Sequence, residues 1–352
     1  MHFGKKIGII GGGQLGKMMI SEANLLGFET YVFSEEEGSP ATIFANEVMV
    51  GDYGDEKKIL EFASKCDFLT VEFESINYKI LEKLPKQLFP NVSAIFTSQN
   101  RLREKTFFKE SGVNVAEFTK ISNISDGKEF FQKHGKFILK TSENGYDGKG
   151  QFLINSINDL DACKVNFEKF EFIAEKFIPF AFEASVILTR SNAGESVSYP
   201  VPINIHKEGI LYKSIVQHEV EPWKQKMKEM AIKIANKLEF VGTMAVEFFV
   251  LENGEILANE MAPRPHNSGH FTIDLCTVSQ FANHVRAVTG LPLLHSNLLF
   301  EGEMLNLIGS DVNLALNFLD KSNAKINIYG KKIVLEKRKM GHINFIYDEI
   351  FS

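Results

Sequence analysis

The sequence predicts a chain of α/β and α+β regions, with a parallel-sheet region first, an α+β module second and a small strand-rich tail last. Between residues 1 and 98, short apolar runs at 6–10, 29–33 and 68–72 alternate with helical patterns that begin at residues 14 and 56. This βαβαβ order implies a parallel sheet. We therefore expect domains at residues 1–98, 99–290 and 291–352.

Length, charge and cysteine usage narrow the class of protein. At 352 residues the chain suits two or three domains. The formal net charge of -6, with lysines scattered in ones and twos, argues against a nucleic-acid partner. Cys66, Cys163 and Cys276 are too widely spaced for a disulfide framework, which favours a reducing compartment. Because no apolar run reaches membrane-spanning length, we expect a cytoplasmic protein with no membrane partner.

The second region mixes helices with antiparallel-looking strands. A helix is predicted from Asn100 to Glu110, strands at residues 172–177 and 183–188, and a further helix from Trp223 to Leu238 that leads into a hairpin. After residues 291–292 short strands dominate to the end of the sequence. This change of pattern is the basis for separating the three domains.

The first glycine-rich loop, residues 11–16, reads Gly-Gly-Gly-Gln-Leu-Gly and matches GxGxxG between an apolar strand and a helix. Backbone amides at a helix N-terminus form an anion site. The loop can therefore serve a dinucleotide or a phosphate-bearing substrate, or it can be a structural tight turn. The dinucleotide is disfavoured because the second strand ends at Ser34, and the acid Glu35 comes one place later than this cofactor requires.

A second glycine-rich loop follows an apolar strand that ends at Lys140. Three of its seven residues are glycine, and its sequence is Gly145, Tyr146, Asp147, Gly148, Lys149, Gly150 and Gln151. Glycine amides approach phosphate oxygens closely, so this segment predicts a flap over a phosphate group, with Lys140 pointing its charge at whatever the flap covers. The alternative is a glycine-rich hairpin with a surface lysine.

Asn253-Gly254 between alternating apolar runs is a strong signal for a hairpin with a two-residue type I′ turn. Counting outward from that turn, Phe249 pairs with Ala258, and Glu247 lies opposite Glu260. The same face would carry the apolar side chains of Ala245, Leu251 and Ile256. Facing carboxylates repel, whereas a hard divalent cation such as Mg²⁺ binds carboxylate oxygens together with nucleotide phosphate oxygens. The pair thus predicts a metal–nucleotide site, and the alternative is a surface hairpin with two solvated glutamates.

Six blocks of sequence carry a family resemblance. They are residues 11–16, 100–105, 145–151, 204–211, 259–270 and 338–342. The most discriminating block, residues 259–270, reads Asn-Glu-Met-Ala-Pro-Arg-Pro-His-Asn-Ser-Gly-His. In content and order the blocks resemble the ATP-grasp superfamily and, within it, the 5-(carboxyamino)imidazole ribonucleotide synthases of purine biosynthesis. The resemblance implies an ATP-grasp fold with a Rossmann-like N-terminal domain and a small β-rich C-terminal domain.

The resemblance also implies an activity. The chain would be an ATP-dependent ligase that joins bicarbonate to the exocyclic amine of 5-aminoimidazole ribonucleotide through carboxyphosphate, with ATP and Mg²⁺ as cofactors. Arg101 and Lys140 would meet the ATP phosphates, and residues 145–151 would close over them. The remaining residues implied for the nucleotide are Glu175, Lys176, Phe177 and Ile178 at the adenine, Glu183 at the ribose, and His206 near the triphosphate. Those implied for Mg²⁺ are Glu247, Asn259 and Glu260.

By the same resemblance, the ribonucleotide would lie between the first domain and the central module of a cytoplasmic homodimer. Arg264 and His266 would orient bicarbonate or carboxyphosphate. The residues implied for the ribonucleotide are Gln14 and Leu15 at its base or ribose, Tyr146, Asp147 and Lys149 from the flap, and Lys331 and Arg338 at its phosphate. One departure lies beside this last pair, where residues 335–337 read Leu-Glu-Lys instead of the usual Arg-Pro-Gly.

Two other functions compete with this one. A different ATP-grasp ligase, such as the formate-using glycinamide ribonucleotide transformylase or a biotin carboxylase, lacks the Pro-Arg-Pro-His-Asn signature of residues 263–267. An NAD-dependent oxidoreductase built on the first glycine loop would leave Glu247, Glu260 and the glycine-rich flap unexplained.

Overall fold

The computed structural model describes residues 4–143, 150–163, 165–218 and 221–347. Its strands form a parallel four-stranded sheet, an antiparallel four-stranded sheet and a nine-stranded sheet. The parallel sheet belongs to the first region, and the other two belong to the central region and the tail. The predicted combination of α/β and α+β architecture is therefore confirmed.

The first region contains the five elements that the periodicity predicts, together with one strand and two short helices that it does not. In chain order the elements are β1 (Lys6–Ile10), α1 (Gln14–Leu25), β2 (Glu29–Ser34), β3 (Glu47–Val50), α2 (Glu56–Ser64), β4 (Phe68–Val71), α3 (Tyr78–Leu81) and α4 (Val92–Ser98). The strands lie parallel in the order β3-β2-β1-β4. Because parallel strands end at one edge of the sheet, the loops after β1, β2 and β4 lie side by side.

The central region begins with a capped helix. The Asn100 side chain accepts a hydrogen bond from the Arg103 N–H at 3.0 Å, which fixes the start of α5. The elements are α5 (Arg101–Glu110), β5 (Phe118–Ile121), α6 (Ile124–His134), β6 (Phe137–Thr141), β7 (Gln151–Ile154), α7 (Ile157–Ala162), β8 (Phe172–Lys176), β9 (Phe182–Arg190), β10 (Ser196–Ser198), β11 (Ile203–Lys207), β12 (Ile210–Val216), α8 (Pro222–Lys237), β13 (Gly242–Val250) and β14 (Ile256–Ala262). The small antiparallel sheet has the order β5-β8-β6-β7.

The tail extends the large central sheet. A 3-10 turn (Asn267–Gly269), α9 (Thr272–Leu275) and α10 (Gln280–Thr289) precede β15 (Gly302–Ile308), a 3-10 helix (Gly309–Phe318), β16 (Ala324–Ile328) and β17 (Lys339–Ile346). Strand β15 pairs with β12, so eight strands follow the order β14-β13-β9-β11-β12-β15-β17-β16, and the ninth, β10, pairs with β9. The limits of the three predicted domains, at residues 98–99 and 290–291, stay a prediction.

None of the helices in the described stretches has both the length and the apolar character that crossing a membrane requires.

The loop of the β13–β14 hairpin differs from the predicted two-residue turn. The Leu251 N–H donates to the Glu255 carbonyl at 2.9 Å, which leaves three residues in the loop. The last of them, Gly254, has φ of +79°. A three-residue loop that ends in a left-handed glycine is the next most common hairpin connection.

The longer loop shifts the register of the hairpin by one residue. Phe249 faces Leu257, and Ile256 pairs with Val250 on the core side of the sheet. The predicted pairing of Phe249 with Ala258 is therefore wrong, as is the predicted position of Ile256 on the face of Glu247.

A β-bulge restores the predicted meeting of the two carboxylates. Asn259 and Glu260 on β14 together oppose the single residue Glu247 on β13. The regular pairs on either side of the bulge are Phe248–Ala258 and Val246–Met261. A bulge changes the direction of side chains locally, so two consecutive residues of β14 face the same side as Glu247.

We predict that Gly254→Ala lowers the free energy of unfolding by about 1 kcal/mol, because only glycine adopts positive φ without strain. A Cβ atom at Gly254 would meet no other atom within 4 Å, so the loss is conformational and not steric. Gly254→Asn should cost less, since asparagine tolerates this conformation. Urea denaturation measures both variants, and equal stability of Gly254→Ala and wild type would contradict the three-residue loop.

Candidate active site

The three regions meet around a cleft of about 790 Å³. A volume of this size suits a small-molecule ligand. The predicted site residues that line it are Gln14, Leu15, Arg101, Lys140, Gln151, Glu183, His206, Glu247, Asn259, Glu260, Arg264, His266, Lys331 and Arg338. The structure therefore brings most of the predicted nucleotide, metal and substrate residues to one place.

The first glycine loop holds a carboxylate of the chain itself. Glu72 follows β4 and accepts hydrogen bonds from the N–H groups of Gly13 and Leu15, the latter at 3.0 Å. A Cβ atom at Gly11 would lie only 2.3 Å from the Glu72 Cβ, so this position has to be glycine. Amides that bind Glu72 are not available to an external phosphate. Of the interpretations that the sequence leaves open, these contacts support the structural tight turn.

Glu247 and Glu260 lie on the cleft side of the hairpin with Asn259 between them. Burial, followed by the charge of Glu260, raises the pKa of Glu247. Burial also acts on Glu260, but the charges of Arg101 and Lys140 outweigh it and lower the pKa of that carboxyl. The Asn259 Oδ1 atom is buried and has no hydrogen-bond partner within the described residues. Three oxygen-bearing side chains, one of them without a donor, form the ligand set that a hard cation prefers.

The two predicted phosphate-binding cations contact carboxylates. Arg101 Nη1 lies 2.9 Å from Glu260 Oε2, and Lys140 Nζ lies 3.0 Å from Glu175 Oε2. Lys105, which the sequence did not single out, lies 3.2 Å from the same Glu175 oxygen. Burial opposes ionisation of Glu175, yet the two lysines lower its pKa to about 2. Glu175 is therefore a permanent anion that holds both lysines at the side of the cleft.

Glu183 and His206 form a second charged pair. Glu183 Oε2 lies 2.7 Å from His206 Nδ1 and joins β9 to β11. Burial alone would lower the pKa of His206, but the hydrogen bond and the charge of Glu183 outweigh burial and raise it. Beside them the rings of Phe180 and Phe249 stack with centroids 4.7 Å apart. The cleft thus offers a polar pair next to an aromatic surface.

Arg264 and His266 follow β14 and lie next to the carboxylate pair. Arg264 contacts both oxygens of Glu74, through Nε at 2.5 Å and Nη2 at 3.1 Å. His266 Nε2 lies 3.4 Å from Glu247 Oε1, and His266 Nδ1 lies 2.8 Å from Ser268 Oγ. Burial lowers the pKa of His266 well below its ordinary value, so the imidazole is neutral. A fixed guanidinium and a neutral imidazole therefore face the same part of the cleft.

A basic edge is formed by Lys331, Arg338 and Lys339, where the tail approaches the first region. Lys331 Nζ donates to the Lys339 carbonyl at 2.7 Å, and Arg338 Nη1 donates to the Ile333 carbonyl at 3.1 Å. These carbonyl partners orient the two side chains. An anionic group is favoured at this edge because hydrogen bonds between ions are the strong ones.

Part of the predicted nucleotide site lies outside the described residues, namely Gly145, Tyr146, Asp147, Gly148 and Lys149. Gly150 has φ of +72°, and Gln151 begins β7. Residues 175–178 are described but do not line the cleft. The N–H groups of Lys176 and Phe177 already donate to backbone carbonyls at 2.8 and 3.0 Å. The adenine role of residues 175–178 stays a prediction.

Sequence reasoning missed the charged residues that hold the site together, which are Glu72, Glu74, Glu104, Lys105 and Lys339. Glu104 accepts a hydrogen bond from the Met261 N–H at 2.8 Å, and burial, followed by the charge of Glu260, raises its pKa to about 8. Glu104 and Lys105 belong to the block at residues 100–105. A six-residue block does not reveal which helix face turns toward the cleft.

Within the described residues, no three His, Cys, Asp or Glu side chains cluster in an arrangement that would hold a metal ion. The carboxylate pair would therefore bind a cation only with additional oxygen ligands. Asn259 Oδ1 is one such oxygen, and phosphate oxygens of a nucleotide are others.

Family models match nearly the whole chain. The model of the ribonucleotide synthetase preATP-grasp domain matches residues 4–99, and that of the ATP-grasp domain matches residues 106–281. The model of the phosphoribosylaminoimidazole carboxylase C-terminal domain matches residues 303–350. The ATP-grasp fold, expected from the resemblance, is thereby confirmed together with its flanking regions.

Individual relatives agree with these matches. The N5-carboxyaminoimidazole ribonucleotide synthase of Bacillus subtilis (strain 168) is 41% identical over 97% of this chain and 92% of its own. The ADP complex of N5-carboxyaminoimidazole synthetase from Staphylococcus aureus superposes with a TM-score of 0.94 at 38% identity, over 99% of this chain and 95% of that one. The Aspergillus clavatus enzyme with ADP and 5-aminoimidazole ribonucleotide superposes with a TM-score of 0.91 at 29% identity, over 98% and 94%.

We predict that Glu247→Gln stabilises the ligand-free protein increasingly as the pH rises from about 5 to about 8. The folded-state pKa of Glu247 lies above its ordinary value of 4.5, so the ionised carboxyl destabilises the fold. That penalty is absent below the ordinary pKa and complete above the folded-state pKa. Chemical denaturation without divalent cations, at several pH values, gives the difference between variant and wild type.

Glu255→Gln is the matched control for this experiment, because Glu255 is exposed on the same hairpin. Its difference from wild type should not change across the same pH range. A difference for Glu247→Gln that is equally flat would contradict the raised pKa.

Proposed function

The chain belongs to the family of N5-carboxyaminoimidazole ribonucleotide synthases, and on that premise we propose how its own residues share the work of the reaction. It is an ATP-dependent ligase that carboxylates 5-aminoimidazole ribonucleotide with bicarbonate. The relatives favour this reaction over that of a formate-dependent transformylase. The observation that carries the assignment of roles is one cleft in which facing carboxylates, buried cations and a basic edge occur together.

Arg101 and Lys140 bind the ATP phosphates in this proposal. Both side chains are already held at the cleft by carboxylates, so little side-chain entropy remains to be lost when phosphate arrives. A phosphate oxygen can replace Glu260 at Arg101, which frees Glu260 for a second partner. Glu183 accepts from the ribose hydroxyls, and the aromatic surface of Phe180 and Phe249 supports the adenine.

Glu247, Glu260 and Asn259 hold Mg²⁺ in this proposal. Two features support the assignment: the charge of Glu260 raises the pKa of Glu247, and the Asn259 oxygen accepts no hydrogen bond from the described residues. When bound, the ion would neutralise charge on the phosphate oxygens while the γ-phosphoryl group moves to bicarbonate. The three side chains fix where the ion binds, because each is anchored on the rigid hairpin and not on a loop.

Arg264 and His266 orient bicarbonate and the carboxyphosphate that follows. Glu74 holds the Arg264 guanidinium by two hydrogen bonds, which fixes the plane that it presents to a flat, charged oxyanion. His266 follows Arg264 by two residues and lines the same cleft, so both side chains can contact one small anion. Placement beside the carboxylate pair brings that anion to the phosphoryl group of ATP.

5-Aminoimidazole ribonucleotide occupies the part of the cleft between the first region and the central region, with the tail at one edge. Gln14 and Leu15 begin α1 and line this part, and Lys331 and Arg338 line its opposite edge. The substrate phosphate binds at that basic edge. Because Glu72 occupies the amides of the first glycine loop, the phosphate depends on these side chains instead of on the helix N-terminus.

We place the enzyme in the cytoplasm as a homodimer. The three cysteines are free thiols, as expected in a reducing compartment. Leu25, Ile43 and Phe44 are exposed by 83%, 64% and 46%, and the Asn24 side chain, next to Leu25, donates to the Phe44 carbonyl. An exposed apolar patch of this kind favours contact with a second copy. Analytical ultracentrifugation tests directly whether two copies of the chain associate.

We predict phosphate release that requires 5-aminoimidazole ribonucleotide and bicarbonate together. Glu260→Gln should retain the fold by circular dichroism yet lose most turnover, because a neutral amide is a poor ligand for a hard cation. Glu252→Gln, which changes an exposed acid on the same hairpin, is the control and should match wild type. Wild-type turnover by Glu260→Gln at low Mg²⁺ would make the metal assignment wrong.

We predict that Arg338→Ala raises the Michaelis constant for 5-aminoimidazole ribonucleotide by about tenfold or more and leaves that for ATP nearly unchanged. The reason is the loss of one charge-assisted hydrogen bond to the substrate phosphate, a contribution of roughly 1.5 to 3 kcal/mol. Lys332→Ala is the matched control, since Lys332 donates to the Glu37 carbonyl and does not line the cleft. Equal constants for Arg338→Ala and wild type would refute the role, and a parallel rise for both substrates would indicate misfolding.

A further inference from the structure

A row of buried polar side chains runs behind His266 and plays no part in the roles given above. It starts on β12 and crosses β11 and β9 before it reaches the 3-10 turn that follows His266. Its members are almost completely inaccessible to solvent and are Ser214, Asn204, Ser185 and Ser268. Two motif blocks meet here, because Asn204 belongs to the block at residues 204–211 and Ser268 to the block at residues 259–270.

The hydrogen bonds along this row have a direction. Ser214 Oγ donates to Asn204 Oδ1 at 2.8 Å, and Asn204 Nδ2 donates to Ser185 Oγ at 2.9 Å. Ser185 Oγ in turn donates to Ser268 Oγ at 2.7 Å. A hydroxyl carries one proton, so Ser268, having accepted from Ser185, has its own proton to give to His266 Nδ1 at 2.8 Å.

A second donor reaches the same nitrogen. The backbone N–H of Ser268 lies 3.3 Å from His266 Nδ1, and a backbone N–H can only donate. The single lone pair of His266 Nδ1 faces both donors, so this nitrogen carries no proton and the ring proton is on Nε2. That nitrogen points to the cleft, 3.4 Å from Glu247 Oε1.

We propose that Ser268, Ser185 and Asn204 are positioning residues that fix His266 as the Nε2–H tautomer, so that His266 enters the reaction as a hydrogen-bond donor and not as a base. The inference rests on the proposed role of His266 beside bicarbonate. A donor at this place binds a carbonate oxygen and stabilises the negative charge that develops on it. The basic nitrogen is covered by Ser268, so the proton that leaves the substrate amine is taken up by the phosphate that carboxyphosphate releases and not by His266.

Nitrogen-15 spectra of histidine-labelled protein test the tautomer without any activity measurement, and His266→Gln identifies the His266 signals. Wild type should show an unprotonated Nδ1 and a protonated Nε2. Ser268→Ala should shift His266 toward a mixture of tautomers, and Ser268→Thr, which keeps the hydroxyl, should restore the single form. A protonated Nδ1 in wild type would overturn the proposal.

Kinetics separate positioning from a structural role. Ser268→Ala should lower kcat about three- to tenfold with an unchanged Michaelis constant for ATP, and Ser185→Ala should lower kcat about twofold. In a His266→Gln background, Ser268→Ala should cause no further loss, because it acts through His266. Thr289→Ala, which removes a buried hydroxyl that donates to the Val285 carbonyl, should leave kcat unchanged.

Equal losses from Ser268→Ala in the wild-type and His266→Gln backgrounds would overturn the positioning role. Failure of the proposed function would look different. If His266→Gln matched wild type in phosphate release, His266 would have no part in the reaction. The nitrogen-15 spectra would still report whether the row of buried polar side chains selects the tautomer of His266.

Discussion

Charge balance around the carboxylate pair is the constraint on which the rest of the cleft depends. The β-bulge places Glu247, Asn259 and Glu260 on one face, which a regular register cannot do for two consecutive residues of a strand. Arg101 stabilises the charge of Glu260, whereas burial and Glu260 itself disfavour the charge of Glu247. In the ligand-free cleft the ionised form of Glu260 is therefore favoured and that of Glu247 is not. A bound cation would favour the ionised form of both carboxyls.

The cations around this pair are held in place by carboxylates. Lys105 and Lys140 share the single anion Glu175, so two lysines are balanced by one carboxylate. Buried ion pairs are expensive to desolvate, and their value here lies in fixing where the charges point. The first region contributes in the same way, since the segment after β4 sends Glu72 to the first glycine loop and Glu74 to Arg264. Through Glu74, the first region thereby orients Arg264 of the central region.

Local patterns predicted the elements well and their tertiary partners poorly. The apolar alternation around Asn253-Gly254 predicted the hairpin and the proximity of Glu247 and Glu260. The predicted loop length was wrong. The two carboxylates still face each other because of a β-bulge, which short-range sequence patterns do not predict. The glycine loop was correctly placed at a strand–helix junction. The anion that this loop binds was not predicted, because Glu72 is distant from the loop in sequence. An acid directly after a parallel strand is the signal that could have identified it. The role of Lys105 was missed because tertiary packing decides which face of a helix turns toward the cleft, and a short sequence block does not contain that information.

Calorimetry of nucleotide binding tests most directly whether the carboxylate pair is the cation site. Binding of Mg²⁺ with ADP at about pH 6, in buffers of different ionisation enthalpy, reports the number of protons released. Because the pKa of Glu247 is raised in the ligand-free protein and a metal ligand must be deprotonated, binding should release protons at this pH. The release should shrink as the pH rises and be smaller in Glu247→Gln, where only the ADP phosphate and the other protonated groups of the cleft still contribute. Proton release that is the same in Glu247→Gln and wild type would contradict the account.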